Sequence, residues 1–150
     1  MQISIFKKAE KYLADLVESE SCLTLSSGYL AGQLVASNFD QDDIFYAPNT
    51  HVAMHQNVSS NYLSYSKLNA AIHTHLKTKK TTPIVCIDSI DFFGNNYPSF
   101  VTLKELPLDK IILVADDSHG IGLPINNGKG CFSLLQQLKP KELIVCTSLG

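Results

Sequence analysis

Apolar residues fall along this chain in short runs that alternate with amphipathic stretches. Ile5, Ala9, Tyr12, Leu13, Leu16 and Val17 recur at helical spacing, with Lys7, Lys8, Glu10, Lys11 and Glu18 on the other side. They predict an amphipathic first helix. Residues 22–25 read as a short strand, and Ser27 stands at the N-cap of a helix over 29–36. Residues 44–47 form the next strand, which Pro48, Asn49 and Thr50 break before a helix from about His51 to Val58. Residues 62–65 read as another strand. A helix over 68–77 follows, capped by Ser66 and basic at its end, as the helix dipole favours. Residues 83–88 are a strand entering the turn-forming loop Gly94-Asn95-Asn96-Tyr97-Pro98. A short helix over 101–106, a helix over 132–138 and a strand over 143–146 complete the pattern.

The stretch that organises the rest is Ile111-Ile112-Leu113-Val114-Ala115-Asp116-Asp117-Ser118-His119-Gly120-Ile121-Gly122. Its apolar, β-branched start reads as a strand buried on both faces, as in a parallel sheet. Strands alternating with helices mean βαβ units. The fold class expected is therefore α/β, three layers, with a mainly parallel sheet and helices on both faces. Open sheets of this kind bind ligands beyond the carboxyl ends of their strands, which is where Asp116, Asp117 and His119 fall. Asp, Ser and Gly are also ordinary turn formers, so the same residues could simply close a loop.

With 150 residues the chain reads as one domain with no internal boundary. A net charge of −2 without a basic patch points away from a nucleic-acid partner, and no apolar run is long enough to cross a bilayer. The four cysteines form no Cys-x-x-Cys pair; Cys22, Cys86 and Cys146 sit in apolar runs, as small hydrophobes do. With no signal-like N-terminus, a cytoplasmic protein is expected. All twelve basic residues are lysines, so this stretch supplies no guanidinium clamp for a carboxylate or phosphate.

Several groups could carry chemistry. Ser26-Ser27-Gly28-Tyr29 joins a strand to a helix, where unpaired N–H groups and a glycine suit a phosphate, although it is neither Gly-x-Gly-x-x-Gly nor a Walker loop. His51 and His55 are four apart and could face a metal, but no third ligand is evident and none is expected. His51 by itself, opening a helix at the same sheet edge as Gly28, could stack on a flat ligand. His73 and His75, beside Lys77, Lys79 and Lys80, read as solvated and favourable to a helix C-terminus. Asp88 and Asp91 follow a strand end, and either join a site or cap a loop; both readings stay open.

Taken in order, these motifs resemble the class II aminotransferases of pyridoxal phosphate (PLP) fold type I, and most closely the α-oxoamine synthases such as the 8-amino-7-oxononanoate synthases. The resemblance runs from about Phe6 to Gly150. Asp116 to Gly122 looks like the family's Asp-Asp/Glu-Ala-His-Gly/Ser-x-Gly and continues in step to Gly128-Lys129-Gly130, similar to its Gly-Arg-Gly. Leu25-Ser26-Ser27-Gly28-Tyr29 looks like its phosphate loop, and Gly94 and Pro98 fall in step with its Met-Asp-Gly-Asp-x-x-Pro-Leu.

The resemblance implies catalytic roles for His51, Asp116 and His119. Asp116 would face the pyridine nitrogen of PLP and favour its protonated form. His119 would bond the ring's phenolic oxygen and His51 would stack on the ring. Gly28 and Tyr29 N–H groups, with the Ser148 hydroxyl, would hold the phosphate. It also implies an amino-acid substrate, an acyl-CoA or keto-acid partner and a homodimer. Two departures stand out. Around Asp88-Ser89-Ile90-Asp91-Phe92-Phe93-Gly94 the family's serine position is Asp91, which bears on acyl-CoA chemistry more than on PLP binding. The Schiff-base lysine of the family falls directly after the position of Gly150, so residues 1–150 are expected to be a partial large domain without the small C-terminal domain.

Two other readings compete. One is a non-catalytic subunit or pseudoenzyme of the same fold, lacking the lysine. The other is a receiver-like phosphoacceptor domain built on Asp116 and Asp117, which would need a flavodoxin-like strand order.

Overall fold

The computed structural model describes residues 4–56, 60–91, 93–94 and 96–149. Val58, Phe92, Asn95 and Gly150, which figure in the expectations above, lie outside them. The elements in chain order are α1 (Ser4–Val17), α2 (Gly28–Ala36), β1 (Ile44–Tyr46), α3 (Tyr65–Thr78), β2 (Ile84–Asp88), β3 (Ile112–Asp116), α4 (Phe132–Gln136) and β4 (Glu142–Cys146), with short 3₁₀ turns between them. The strands make one sheet in the order β1-β2-β3-β4, and every pair is parallel.

Sequential order fixes the layers. Crossovers between neighbouring parallel strands share one hand, so all of them fall on one face. That face holds the larger core, where Leu68 and Ile72 of α3, Leu103 and Leu106 of the second crossover segment and Leu135 of α4 cover Val85, Ile87, Leu113 and Ala115. Helix α2 enters before β1 and escapes this constraint. It lies on the opposite face, where Val35 and Met54 pack against Tyr46, Cys86 and Val114. Gly32 permits this approach, since a Cβ there would stand 3.1 Å from Met54 Sδ and 3.3 Å from Ala53 O. The three-layer α/β expectation holds. The order also removes the receiver-like reading, because flavodoxin-like sheets run 2-1-3-4-5.

Four local expectations need correction, each for a physical reason. Residues 22–25 form no strand: the Thr24 N–H and hydroxyl both donate to Glu10 Oε1 at 3.0 Å, so the segment is tied to α1 instead of a ladder. Residues 62–65 form no strand either. Tyr62 N donates once to Tyr46 O, at 2.9 Å, and by Tyr65 the chain has turned into α3, which Ser64 caps in place of Ser66. The helix expected from His51 is a single 3₁₀ turn, Val52–Met54, with His51 as its cap; His51 and His55 therefore share no helix face. His75 is buried, not solvated. Its Nε2 meets the Thr81 hydroxyl at 3.1 Å and Asp43 Oδ1 at 3.4 Å, closing the end of α3 onto the residues that enter β1 and β2. The expected first helix forms as α1; within it Leu13, Leu16 and Val17 are half-buried and Ala14 is buried, while Ile5, Phe6 and Tyr12 are exposed.

Candidate functional site

Alternation along a strand decides which groups can meet. In a parallel sheet, residues in register on adjacent strands point to the same face. Asp88, Asp116 and Cys146 are in register across β2, β3 and β4. They share parity with Cys86, Val114 and Ile144, which pack on the α2 side. Asp116 therefore faces α2, while Asp117 faces the α3 side. Two adjacent carboxylates that look equivalent in the sequence have opposite surroundings.

Asp117 is a buttress. It is 2% exposed, accepts from the Ser89 hydroxyl, and accepts from Cys131 N at 2.8 Å. Its own backbone N donates to Cys146 O at 2.7 Å, and its carbonyl accepts from Gly120 N at 2.9 Å and Thr147 Oγ1 at 3.0 Å. The glycines of the motif close around this carboxylate. A Cβ at Gly120 or Gly130 would collide with it, and Gly130 has φ +71. Gly122 N donates to Gly128 O at 2.9 Å, and Ile121 bridges Lys129, so the loop returns on itself with Gly-x-Gly and Gly-Lys-Gly facing each other. Gly130→Ala is expected to cost about 2–4 kcal/mol in a urea melt, from left-handed strain plus displacement of the buried acceptor. A loss within experimental error would show that the loop can open without cost.

Asp116 stands in a different situation. It is half-buried; its Oδ1 accepts from Ser118 N at 2.9 Å and from the Ser118 hydroxyl at 2.6 Å. Oδ2 has no partner among the described residues, and no lysine lies within ion-pair distance of the group among them. Next to it, Asp88 is buried and accepts from His51 N at 3.0 Å. Burial pushes the Asp88 carboxyl up, Asp116 pushes it the same way, and the His51 N–H and the imidazoles of His51 and His119 act against both. His51, Asp88, Asp116 and His119 are thereby brought together at the carboxyl end of the sheet. The His51 ring is exposed, with Nδ1 accepting from Ala53 N at 3.2 Å. His119 is exposed.

The N-terminus of α2 completes the same edge. Ser27 Oγ accepts from Leu30 N at 3.1 Å, and the first-turn N–H groups of Gly28 and Tyr29 have no partner within the helix. A Cβ added at Gly28 would stand 3.5 Å from Ser148 Cβ, so the missing side chain leaves a cradle between the helix start and the exit of β4. It opens into a cavity of about 520 Å³ lined there by Ser27, Gly28, Thr147 and Ser148. Tyr29 is exposed. Cys146, between the cradle and Asp116, is held inert: burial and then the Asp116 charge push its thiol up to about 11.

The sequence reading did not find the partners that hold this edge. Ser89 and Asn96 are buried; Asn96 Nδ2 donates to Asp88 O at 2.7 Å and its Oδ1 accepts from the Tyr65 hydroxyl at 2.8 Å. Asp91, left open as site or cap, accepts from Asn49 Nδ2 at 3.2 Å and braces the loop after β1. Asn49 has φ +66, a turn conformation that asparagine tolerates and that could have marked it. Among the described residues no group of three or more His, Cys, Asp or Glu is placed to hold a metal, and no helix is long and apolar enough to cross a membrane.

No family model and no curated protein sequence matches the chain. Among solved structures, it is similar to 8-amino-7-oxononanoate synthase from Francisella tularensis, with a TM-score of 0.64 and 16% identity. The match covers 96% of this chain and 41% of the synthase, so the chain spans less than half the length of that enzyme. What the two share at this identity is the fold: the four parallel strands and flanking helices described above have the arrangement of part of that synthase.

Proposed function

We propose that residues 1–150 are the cofactor-binding large domain of a PLP-dependent transferase acting on amino acids, of the α-oxoamine synthase or aminotransferase kind. The observation that carries this reading is Asp116, half-buried, with an Oδ2 that has no partner among the described residues, on the sheet face that also carries the Gly28 cradle. The motif order and the fold shared with a synthase support it.

The residues present fit such a group at both ends. Asp116 would accept from a protonated ring nitrogen and hold that proton in place. The N–H groups of Gly28 and Tyr29 and the Ser148 hydroxyl would bind the phosphate, with the helix dipole favouring its charge. His51 would cover one face of the ring, and His119 would donate to the ring oxygen. The bound cofactor would supply an electron sink for charge developing at the amino-acid α-carbon. The acyl or keto partner and the second copy of a homodimer belong to the same proposal.

Pyridoxamine 5′-phosphate tests it cleanly, because its amine cannot condense with surface lysines. An achiral ligand gains circular dichroism only in an asymmetric pocket. Titration is expected to induce a band at the ligand's own absorption, saturating below about 1 mM. Gly28→Val, which fills the cradle, should weaken binding about tenfold or more. Absence of an induced band at that concentration would remove the cofactor reading.

A further inference from the structure

We propose that Asp88 is a positioning residue for this site: its carboxyl fixes the His51 turn, and it stands beside Asp116 as the second acid of a pair that one docked cation serves. The inference rests on the proposed cofactor reading but concerns a residue that reading does not use.

The geometry is that of two strand ends in register. Asp88 and Asp116 are Cα partners in adjacent parallel strands and point to the same face, about 4.8 Å apart at the backbone. Asp88 is 7% exposed, and its Oδ1 accepts from the His51 backbone N–H. That bond anchors the start of the 3₁₀ turn that carries His51. The groups facing Asp88 come from four directions. Asp116 projects from β3, and His119 from the loop after it. His51 comes from the loop after β1. Tyr65 comes from α3, its hydroxyl donating to Asn96, whose Nδ2 donates to the Asp88 carbonyl, and Asp91 comes from the loop after β2, where it accepts from Asn49. No lysine ion-pairs with Asp88 among the described residues.

Two carboxyls side by side with little water cannot both ionise cheaply, so the Asp116 charge adds to burial in pushing the Asp88 carboxyl up. A cationic ring nitrogen held by Asp116 would relieve that conflict and draw the Asp88 carboxyl back down, which would be read as proton release on binding. Its presence is a cost to the empty fold: an acid whose carboxyl is raised on folding stabilises least above its folded titration, so its contribution falls as pH rises. Asp88→Asn keeps an acceptor for the His51 N–H and removes the acid.

The test therefore has one readout without ligand and one with it. In the ligand-free chain, carboxyl carbon NMR should show Asp88 titrating later than an ordinary aspartate, and earlier in Asp116→Asn. Asp88→Asn should melt at or above the parent near neutral pH, with the difference vanishing toward pH 4. With pyridoxamine 5′-phosphate, calorimetry in two buffers of different ionisation enthalpy should show proton release that falls in Asp88→Asn. Asp88→Ala, which also frees the His51 turn, should bind about tenfold more weakly than Asp88→Asn. A carboxylate needed only as a structural anion would make Asp88→Asn less stable at neutral pH and leave the proton count unchanged, and that result overturns the inference. An Asp88 titration that ignores Asp116→Asn overturns it too. If the parent chain fails to bind pyridoxamine phosphate at all, the cofactor reading falls, and the ligand-free titration still decides the pairing.

Discussion

Asp117→Ala is expected to lose about 3–5 kcal/mol of stability, seen as a melting temperature roughly 10 °C lower, although the acid touches no ligand in the proposed site. The substitution leaves the fully buried Ser89 hydroxyl and the Cys131 N–H without their acceptor. Each unsatisfied buried group costs about 1–3 kcal/mol, and the vacated volume adds to it. Asp117→Asn separates charge from shape. The carboxamide keeps one acceptor, and the serine hydroxyl can rotate to receive its NH₂, so a loss of only about 1–2 kcal/mol is expected. Differential scanning calorimetry of the two variants checks both figures. If Asp117→Ala melts with the parent, the carboxylate is not the keystone of the 117–131 loop.

That contrast shows what could be read from the residues and what could not. The parallel core was legible because runs such as Ile84 to Ile87 and Ile111 to Ala115 are apolar without alternation, as burial on both faces demands. The first helix was legible from its period, yet its packing was not: periodicity locates an apolar stripe without supplying its cover, and Ile5, Phe6 and Tyr12 stay exposed. Residues 22–25 and 62–65 carried strand-like composition, but a strand exists only with a partner. Glu10 took the Thr24 donors in one case, and in the other Tyr62 N reaches Tyr46 O of β1 before the chain turns into α3. Within the site, Asp116 was legible from its place at a strand end. The division of labour with Asp117 was not, since it follows from register, and register is a property of three strands far apart in sequence. His51 and Asp88 lie 37 positions apart, and nothing local to either announces their bond.

Asp116→Asn is expected to weaken pyridoxamine 5′-phosphate by about 10- to 100-fold while leaving the fold intact. A hydrogen bond to a charged group is worth about 1.5–3 kcal/mol, which converts to that range of affinity. The carboxamide can still accept from Ser118 N and the Ser118 hydroxyl through Oδ1, so the turn that opens the loop keeps its bonds. Stability should therefore change by less than about 0.5 kcal/mol. What the variant loses is the negative charge at Oδ2, and with it the preference for a protonated ring nitrogen. The ligand's near-ultraviolet absorption responds to that protonation. The bound spectrum should therefore keep its protonated form to higher pH in the parent than in Asp116→Asn. A variant that binds equally well, with the same spectrum, would take Asp116 out of the site. Weak binding with a lowered melting temperature would instead make it a second buttress like its neighbour. The two measurements together separate a carboxylate that serves a ligand from one that serves the fold.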